Sequence, residues 1–349
     1  MSRKKPSSIF VHLNEQGNLC IGDSIIHLPF LRALRLWAPD AEITVFPKKG
    51  GISLLGPIFG NQINEALDTQ PSAEQGASFD WVFDLVGEKS STAMRLRRMA
   101  RDRFYSTALK GWAHLPRLPI YHGKHVARRH LLLLKQATGW LPESFWPWPL
   151  PSDYLERAAS LLPEGNRYVG IAPGAGNVDR NKRWAVEQYA ELALRLSSEG
   201  YTPVIFLGPE EAGWDKYFSD VSDVRFPEQE NSGHGGPSGP ALVVALATRL
   251  EAAVTNCCGS GHMFALGSAP LISLFGPTKY EKFAPFCPLG VCLLPKPEGN
   301  RNIDDIGVED VMETVRWILD PVRRDFDLKT CAVKQVTFPE IDMNRNRFP

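Results

Sequence analysis

Short apolar runs without polar alternation recur along the chain, separated by segments of helical period. Val204-Ile205-Phe206-Leu207 is the type case: four apolar residues in succession, the pattern of a strand covered on both faces of a parallel sheet. In the first half, residues 9–13, 43–46 and 81–86 read as strands. Residues 25–37 space Ile26, Leu28, Phe30, Leu31, Leu34 and Leu36 as an amphipathic helix would. Around 140–153 comes Trp146-Pro147-Trp148-Pro149-Leu150-Pro151, a stretch that neither a helix nor a central strand accepts. The pattern then restarts with strand 168–172, helix 185–196, strand 203–207, helix 241–251, strands 253–256 and 271–275, and helix 308–319. The alternation predicts an α/β protein with two doubly wound parallel-sheet halves. Residues 1–150 form the first domain, 151–320 the second, and the polar stretch 321–349 is a tail expected to pack back on the first.

A length of 349 residues agrees with two domains at roughly 150 residues each. With 43% hydrophobic content and 39 Lys+Arg against 39 Asp+Glu, disorder and a stapled mini-protein are excluded. Apolar runs such as 241–247 fall short of the roughly 20 residues that a membrane-spanning helix needs. Ser7-Ser8-Ile9-Phe10-Val11-His12-Leu13, behind a basic start, is too short and polar for a secretory signal, so a cytoplasmic protein is expected. The six cysteines contain no C-x-x-C pair and read as free thiols. Charge is unevenly placed: residues 89–129 hold eleven Lys/Arg, Arg95, Arg97, Arg98 and Arg101 among them, against the single acid Asp102. This run is either a solvated face or a docking surface for an anionic partner.

Open parallel sheets hold ligands beyond the carboxyl ends of their strands, so the loops after strands matter most. The first runs from Asn14 to Ser24 and ends in Gly22-Asp23; Asp23 sits where the helix begins, as an N-cap or as a general base. The second, Pro173-Gly174-Ala175-Gly176 through Lys182-Arg183-Trp184, reads as a phosphate cradle or as a surface turn. The third, Thr255-Asn256-Cys257-Cys258-Gly259-Ser260-Gly261-His262, opens a short helix at 263–266. Its small residues allow close backbone approach, and His262 is either a ligand contact or a structural donor. Gly276-Pro277-Thr278 is a fourth lining element. No G-x-G-x-x-G, P-loop or G-x-S-x-G occurs, and the only D-x-D, Asp325-Phe326-Asp327, lies in the tail, which weakens dehydrogenase, P-loop, hydrolase and metal-held nucleotide readings.

Several blocks in order carry a family resemblance. They are Ile21-Gly22-Asp23 with His27-Leu28-Pro29-Phe30-Leu31-Arg32-Ala33-Leu34-Arg35, then Ala38-Pro39-Asp40-Ala41-Glu42-Ile43 and Phe79-Asp80-Trp81-Val82-Phe83-Asp84-Leu85. Ala172-Pro173-Gly174-Ala175 with Lys182-Arg183-Trp184, the strand between Gly200 and Gly208, Gly259 with His262, and Leu274-Phe275-Gly276-Pro277-Thr278 complete them. Together they resemble the heptosyltransferase-like glycosyltransferases, relatives of the ADP-heptose:lipopolysaccharide heptosyltransferases.

The resemblance implies a GT-B fold, two Rossmann-like domains facing a central cleft. It implies inverting transfer of a sugar, heptose first among candidates, from a nucleotide diphosphate donor to an acceptor hydroxyl, with Asp23 as general base and neither metal nor further cofactor. Gly174, Ala175, Lys182, Cys257, Cys258, Gly259, Ser260 and His262 would hold the donor, with ADP-heptose the leading donor. Gly22, Arg95, Arg97, Arg98 and Arg101 would hold the acceptor. The implied partners are that donor and an anionic glycan or glycolipid, with no nucleic acid and at most peripheral contact at the inner face of the membrane. Cys257-Cys258 stand where the family has Asp followed by Ser or Thr, and the loop before Gly22 is longer. A cysteine cannot accept a sugar hydroxyl as a carboxylate does, which implies another donor or reduced activity. Two alternatives follow: a sugar-nucleotide-binding protein without transfer, and a GT-B sugar-nucleotide epimerase.

Overall fold

A computed structural model describes residues 5–86, 90–107, 125–176, 181–297, 299–322 and 332–335. The chain divides into two compact units after Phe145, inside the Trp- and Pro-rich stretch.

The first unit alternates strand and helix: β1 (Ser8–His12), α1 (Ile21–Trp37), β2 (Glu42–Phe46), the single turns α2 (Gly51–Leu54) and α3 (Gly56–Phe59), and β3 (Glu65–Ala66). It continues with β4 (Phe79–Asp84), α4 (Ser90–Met99), β5 (Ala100–Ser106) and α5 (Val126–Thr138). The sheet is parallel with order β3-β2-β1-β4-β5, so winding reverses between β1 and β4. Phe10 of β1, Val82 of β4 and Phe104 of β5 pack against Ala93, Leu96 and Met99 of α4. On the other face Phe83 meets Phe30 of α1 edge-on at 5.2 Å.

The second unit holds α6 (Ser152–Leu161), β6 (Tyr168–Ala172), α7 (Val186–Ser198), β7 (Thr202–Ile205), α8 (Pro227–Glu230), α9 (Gly239–Ala247), β8 (Ala252–Asn256) and α10 (Gly259–Leu266). Then come β9 (Leu271–Leu274), α11 (Tyr280–Phe283), β10 (Gly290–Leu294), α12 (Val308–Leu319) and β11 (Ala332–Gln335). Its order is β11-β10-β9-β8-β6-β7, parallel except for β11, and winding reverses between β6 and β8. Val169, Ile171, Val254 and Ile272 share one core with Trp184, Tyr189 and Leu192 beside α7 and with Val311 and Val315 of α12. On the opposite face α10 ends tightly against α9, since a Cβ on Gly267 would stand 2.5 Å from the Val244 carbonyl. The two doubly wound halves expected from the sequence are therefore present.

Four expectations change. Helix α1 begins at Ile21, not at residue 25, with Cys20 as its cap residue and no side-chain cap bond; Asp23 is thus inside the first turn and is not the N-cap. Helix α10 begins at Gly259 and not at 263, so Gly259, Ser260 and His262 all lie in its first turn. Strand β5 escaped the apolar pattern because Arg101 and Asp102 are exposed near the start of an edge strand. The tail was expected on the first domain, yet its described stretch, Ala332–Gln335, pairs antiparallel with β10 of the second sheet. Residues 323–331 and 336–349 lie outside the described residues. No described helix is long and apolar enough to cross a membrane.

Candidate functional site

In the second unit the loops that follow β6, β8 and β9 converge. Asn256, the last residue of β8, accepts the Trp184 N–H through Oδ1 at 3.0 Å. Its Nδ2 donates to the carbonyls of Pro173 at 2.7 Å and Gly174 at 3.3 Å. Lys182 and the Thr278 hydroxyl both act on the next residue, Cys257. Gly174, Lys182, Cys257 and Thr278, from three loops, are thereby gathered at one end of the sheet, beside the point where winding reverses. That is where open α/β sheets hold ligands. Lys182 is part-buried and pairs with no carboxylate among the described residues. The first-turn amides of α10 at Gly259 and Ser260 have no partner within the helix, as in any helix start, and favour an anion.

The cysteines are a poor substitute for a carboxylate. Burial pushes the Cys257 thiol up to about 11, against the opposing pull of Lys182 and Thr278, so it is neutral at physiological pH. Cys258 caps α10 with extended backbone, and its Sγ lies 3.3 Å from the Thr255 hydroxyl. His262 is buried one turn further on. Ala175 follows Gly174 directly; residues 177–180 of the same loop lie outside the described residues.

A second cluster, not anticipated from sequence, underlies these loops. Glu211, 4% exposed, accepts from Arg183 Nη2 at 2.9 Å and from the Gly208 amide at 3.1 Å. The Arg183 guanidinium also lies 5.2 Å from the Trp214 ring centroid. A Cβ on Gly174 would stand 2.6 Å from the Glu211 carboxyl carbon, so glycine is required by close approach. Burial and the neighbouring Glu211 push Glu228 of α8 up to about 7.

In the first unit Asp23 is exposed, whereas Gly22 before it and every residue from Ser24 to Leu31 after it are buried. Its carboxylate stands beside the Cys20 thiol, which partial burial and this charge hold above its ordinary pKa. At the carboxyl ends of β1, β4 and β5 His12 Nδ1 meets Asp84 Oδ1 at 3.1 Å, and the Ser106 hydroxyl donates to Asp84 Oδ2 at 2.8 Å. These three residues are in register and share the α4 face with Phe10, Val82 and Phe104. A pocket of about 350 Å³ opens nearby between the first loop and α4, lined by Glu15, Ser91, Thr92, Met94, Arg95 and Arg98.

The basic run is not one surface. Arg95 and Arg98 line that pocket, and Arg97 donates to the Ala100 carbonyl at 3.3 Å. Arg101 lies at the opposite, amino end of the strands, 3.2 Å from both Asp80 Oδ1 and Ser8 Oγ. It therefore has an acidic partner and does not line the pocket that holds Arg95 and Arg98. Lys89, Lys110, Arg117 and Lys124 lie outside the described residues. Among the described residues no three His, Cys, Asp or Glu side chains are arranged to hold a metal ion.

The sequence model of glycosyltransferase family 9 (heptosyltransferase) matches residues 75–302, about two thirds of the chain. The chain belongs to this family. Lipopolysaccharide heptosyltransferase 2 of Salmonella typhimurium is 33% identical over 114 residues, 32% of this chain and 31% of that protein. Lipooligosaccharide heptosyltransferase 2 of Haemophilus influenzae is 30% identical over 134 residues, 38% of this chain and 37% of that one. Each match spans about a third of the relative's length. Among solved structures, a family 9 glycosyltransferase from Veillonella parvula superposes with a TM-score of 0.66 at 18% identity, covering 90% of this chain and 97% of that one. E. coli ADP-heptose lps heptosyltransferase II gives 0.61 at 20% identity over 91% and 100% of the two chains. These likenesses show a shared fold, the GT-B class expected for the family.

Proposed function

We propose that this family 9 member transfers a sugar, heptose first, from a nucleotide diphosphate donor to an acceptor hydroxyl in the cytoplasm, with inversion and without a metal. The observation that carries the reading is the meeting, in one unit of a family 9 chain, of Lys182, which pairs with no carboxylate among the described residues, the Gly174-Ala175 turn, and the first-turn amides of α10, which have no partner within the helix. Oriented donors of this kind stabilise the charge that develops on a departing diphosphate. ADP-heptose, for which the structurally similar E. coli ADP-heptose lps heptosyltransferase II is named, is the donor tried first. Asp23, a lone exposed carboxylate in the first turn of α1, takes the acceptor proton as the hydroxyl oxygen attacks. The acceptor is an anionic glycan or glycolipid; Arg95 and Arg98 in the pocket of about 350 Å³ meet its charged groups.

One observation favours a second reading, sugar-nucleotide binding without transfer: Cys257, neutral and largely buried, supplies no carboxylate beside Lys182. Thermal stabilisation by a panel of nucleotides and sugar nucleotides, followed by a transfer assay with the best ligand, decides between them. A shift led by one sugar nucleotide with product formation supports transfer. A shift without product from any acceptor supports binding alone, and no shift with any member removes both.

A further inference from the structure

Asn256 is 1% exposed and closes β8 beside the point where the winding of the second sheet reverses. Its side chain bonds to backbone at both ends of one loop, the connection from β6 to α7, at Pro173 and Gly174 on one side and at Trp184 on the other. That loop carries Gly174, Ala175 and Lys182, and Asn256 is itself joined directly to Cys257, Cys258 and the first turn of α10. We propose that Asn256 is the positioning residue of the donor site, fixing Lys182 and the α10 amides at one mutual spacing. The inference rests on the reading of this unit as a nucleotide diphosphate site.

Only an amide of this length does the work. It accepts one N–H and donates to two carbonyls from a single planar group. Aspartate keeps the acceptor but faces two carbonyl oxygens with a charge, and leucine leaves all three buried backbone groups without their partner, the costly arrangement. Small displacements of groups aimed at a diphosphate lower affinity and rate together. The two thiols that follow cannot replace this restraint, because Cys257 and Cys258 bond to threonines of their own strand end and of the next loop.

The test is titration calorimetry of the full chain with ADP as probe, on the natural protein, Asn256→Asp, Asn256→Leu and Val169→Ala. Val169→Ala truncates the core in β6 and controls for general destabilisation. Both Asn256 variants should raise the ADP Kd at least tenfold, while Val169→Ala, with a comparable fall in Tm, keeps it within twofold. Asn256 variants that bind ADP like the natural chain, or an equal loss in Val169→Ala, overturn the assignment. If the natural chain binds neither ADP nor UDP, the nucleotide reading fails by itself, and hydrogen exchange then judges Asn256. Faster exchange confined to residues 174–176, 181–184 and 259–261 in the variants keeps the restraint; unchanged or globally raised exchange removes it.

Discussion

Lys182 and Asp23 carry different parts of the proposed chemistry and should fail differently. Lys182 has no carboxylate partner among the described residues, so Lys182→Ala removes a charge-assisted contact of about 1.5–3 kcal/mol. ADP affinity should fall tenfold or more in calorimetry with little change in Tm, and unchanged affinity would remove its role. Gly174→Ala is a packing test. Glu211 is held by Arg183 and Gly208 and cannot swing from a new methyl 2.6 Å from its carboxyl carbon. A loss of about 1–3 kcal/mol is expected, read from the urea midpoint; a neutral outcome would show that Glu211 is free to move.

At the scale of elements, two buried clusters set opposite pH limits. His27 of α1 stacks on His130 of α5 with ring centroids 4.9 Å apart. Burial, with the neighbouring His12 and Arg129 charges, pushes His27 down to about 3 from 6.5. The folded chain keeps the ring neutral while the unfolded chain protonates it, so stability falls as pH drops from 6.5 toward 3. Glu228 is the reverse case: raised to about 7 from 4.5, it holds in the folded chain a proton the unfolded chain has lost, and stability falls as pH rises through that window. Glu228→Gln should gain as much as about 2–3 kcal/mol at pH 8 and nothing at pH 4, measured by urea unfolding at both values. Strands β1, β2, β4, β6, β7, β8 and β9 were legible because parallel strands leave unbroken apolar runs, whereas β3, β5, β10 and β11 were not read. The start of α1 was not legible, since Asp23 offers an N-cap signal inside the helix while the actual cap residue, Cys20, makes no side-chain cap bond. His12, Asp84 and Asn256 each end an apolar strand run, a position where a polar residue in a parallel sheet marks the ligand end. That signal was present but unread. Glu211 and Arg183 could not be paired from sequence, as their contact depends on how two loops fold over each other.

For the whole molecule, residues 75–302 place the chain in glycosyltransferase family 9, while the proposed base, Asp23, precedes the matched stretch, and the proposed donor loops carry Cys257-Cys258 where a carboxylate was expected. The basic run does not act as one field, because Arg101 is paired with Asp80 at the amino ends of the strands; Arg101→Ala should leave acceptor KM within twofold, whereas Arg95→Ala should raise it several-fold. The most direct measurement compares the natural chain with Asp23→Asn, using ADP-heptose and a deacylated lipopolysaccharide core, with extended acceptor read by mass spectrometry and ADP affinity by calorimetry. The expected result is extended acceptor from the natural chain, at least about a hundredfold less from Asp23→Asn, and the same ADP affinity in both. Undiminished product from Asp23→Asn, or ADP-heptose bound by the natural chain with no acceptor extended, would contradict it.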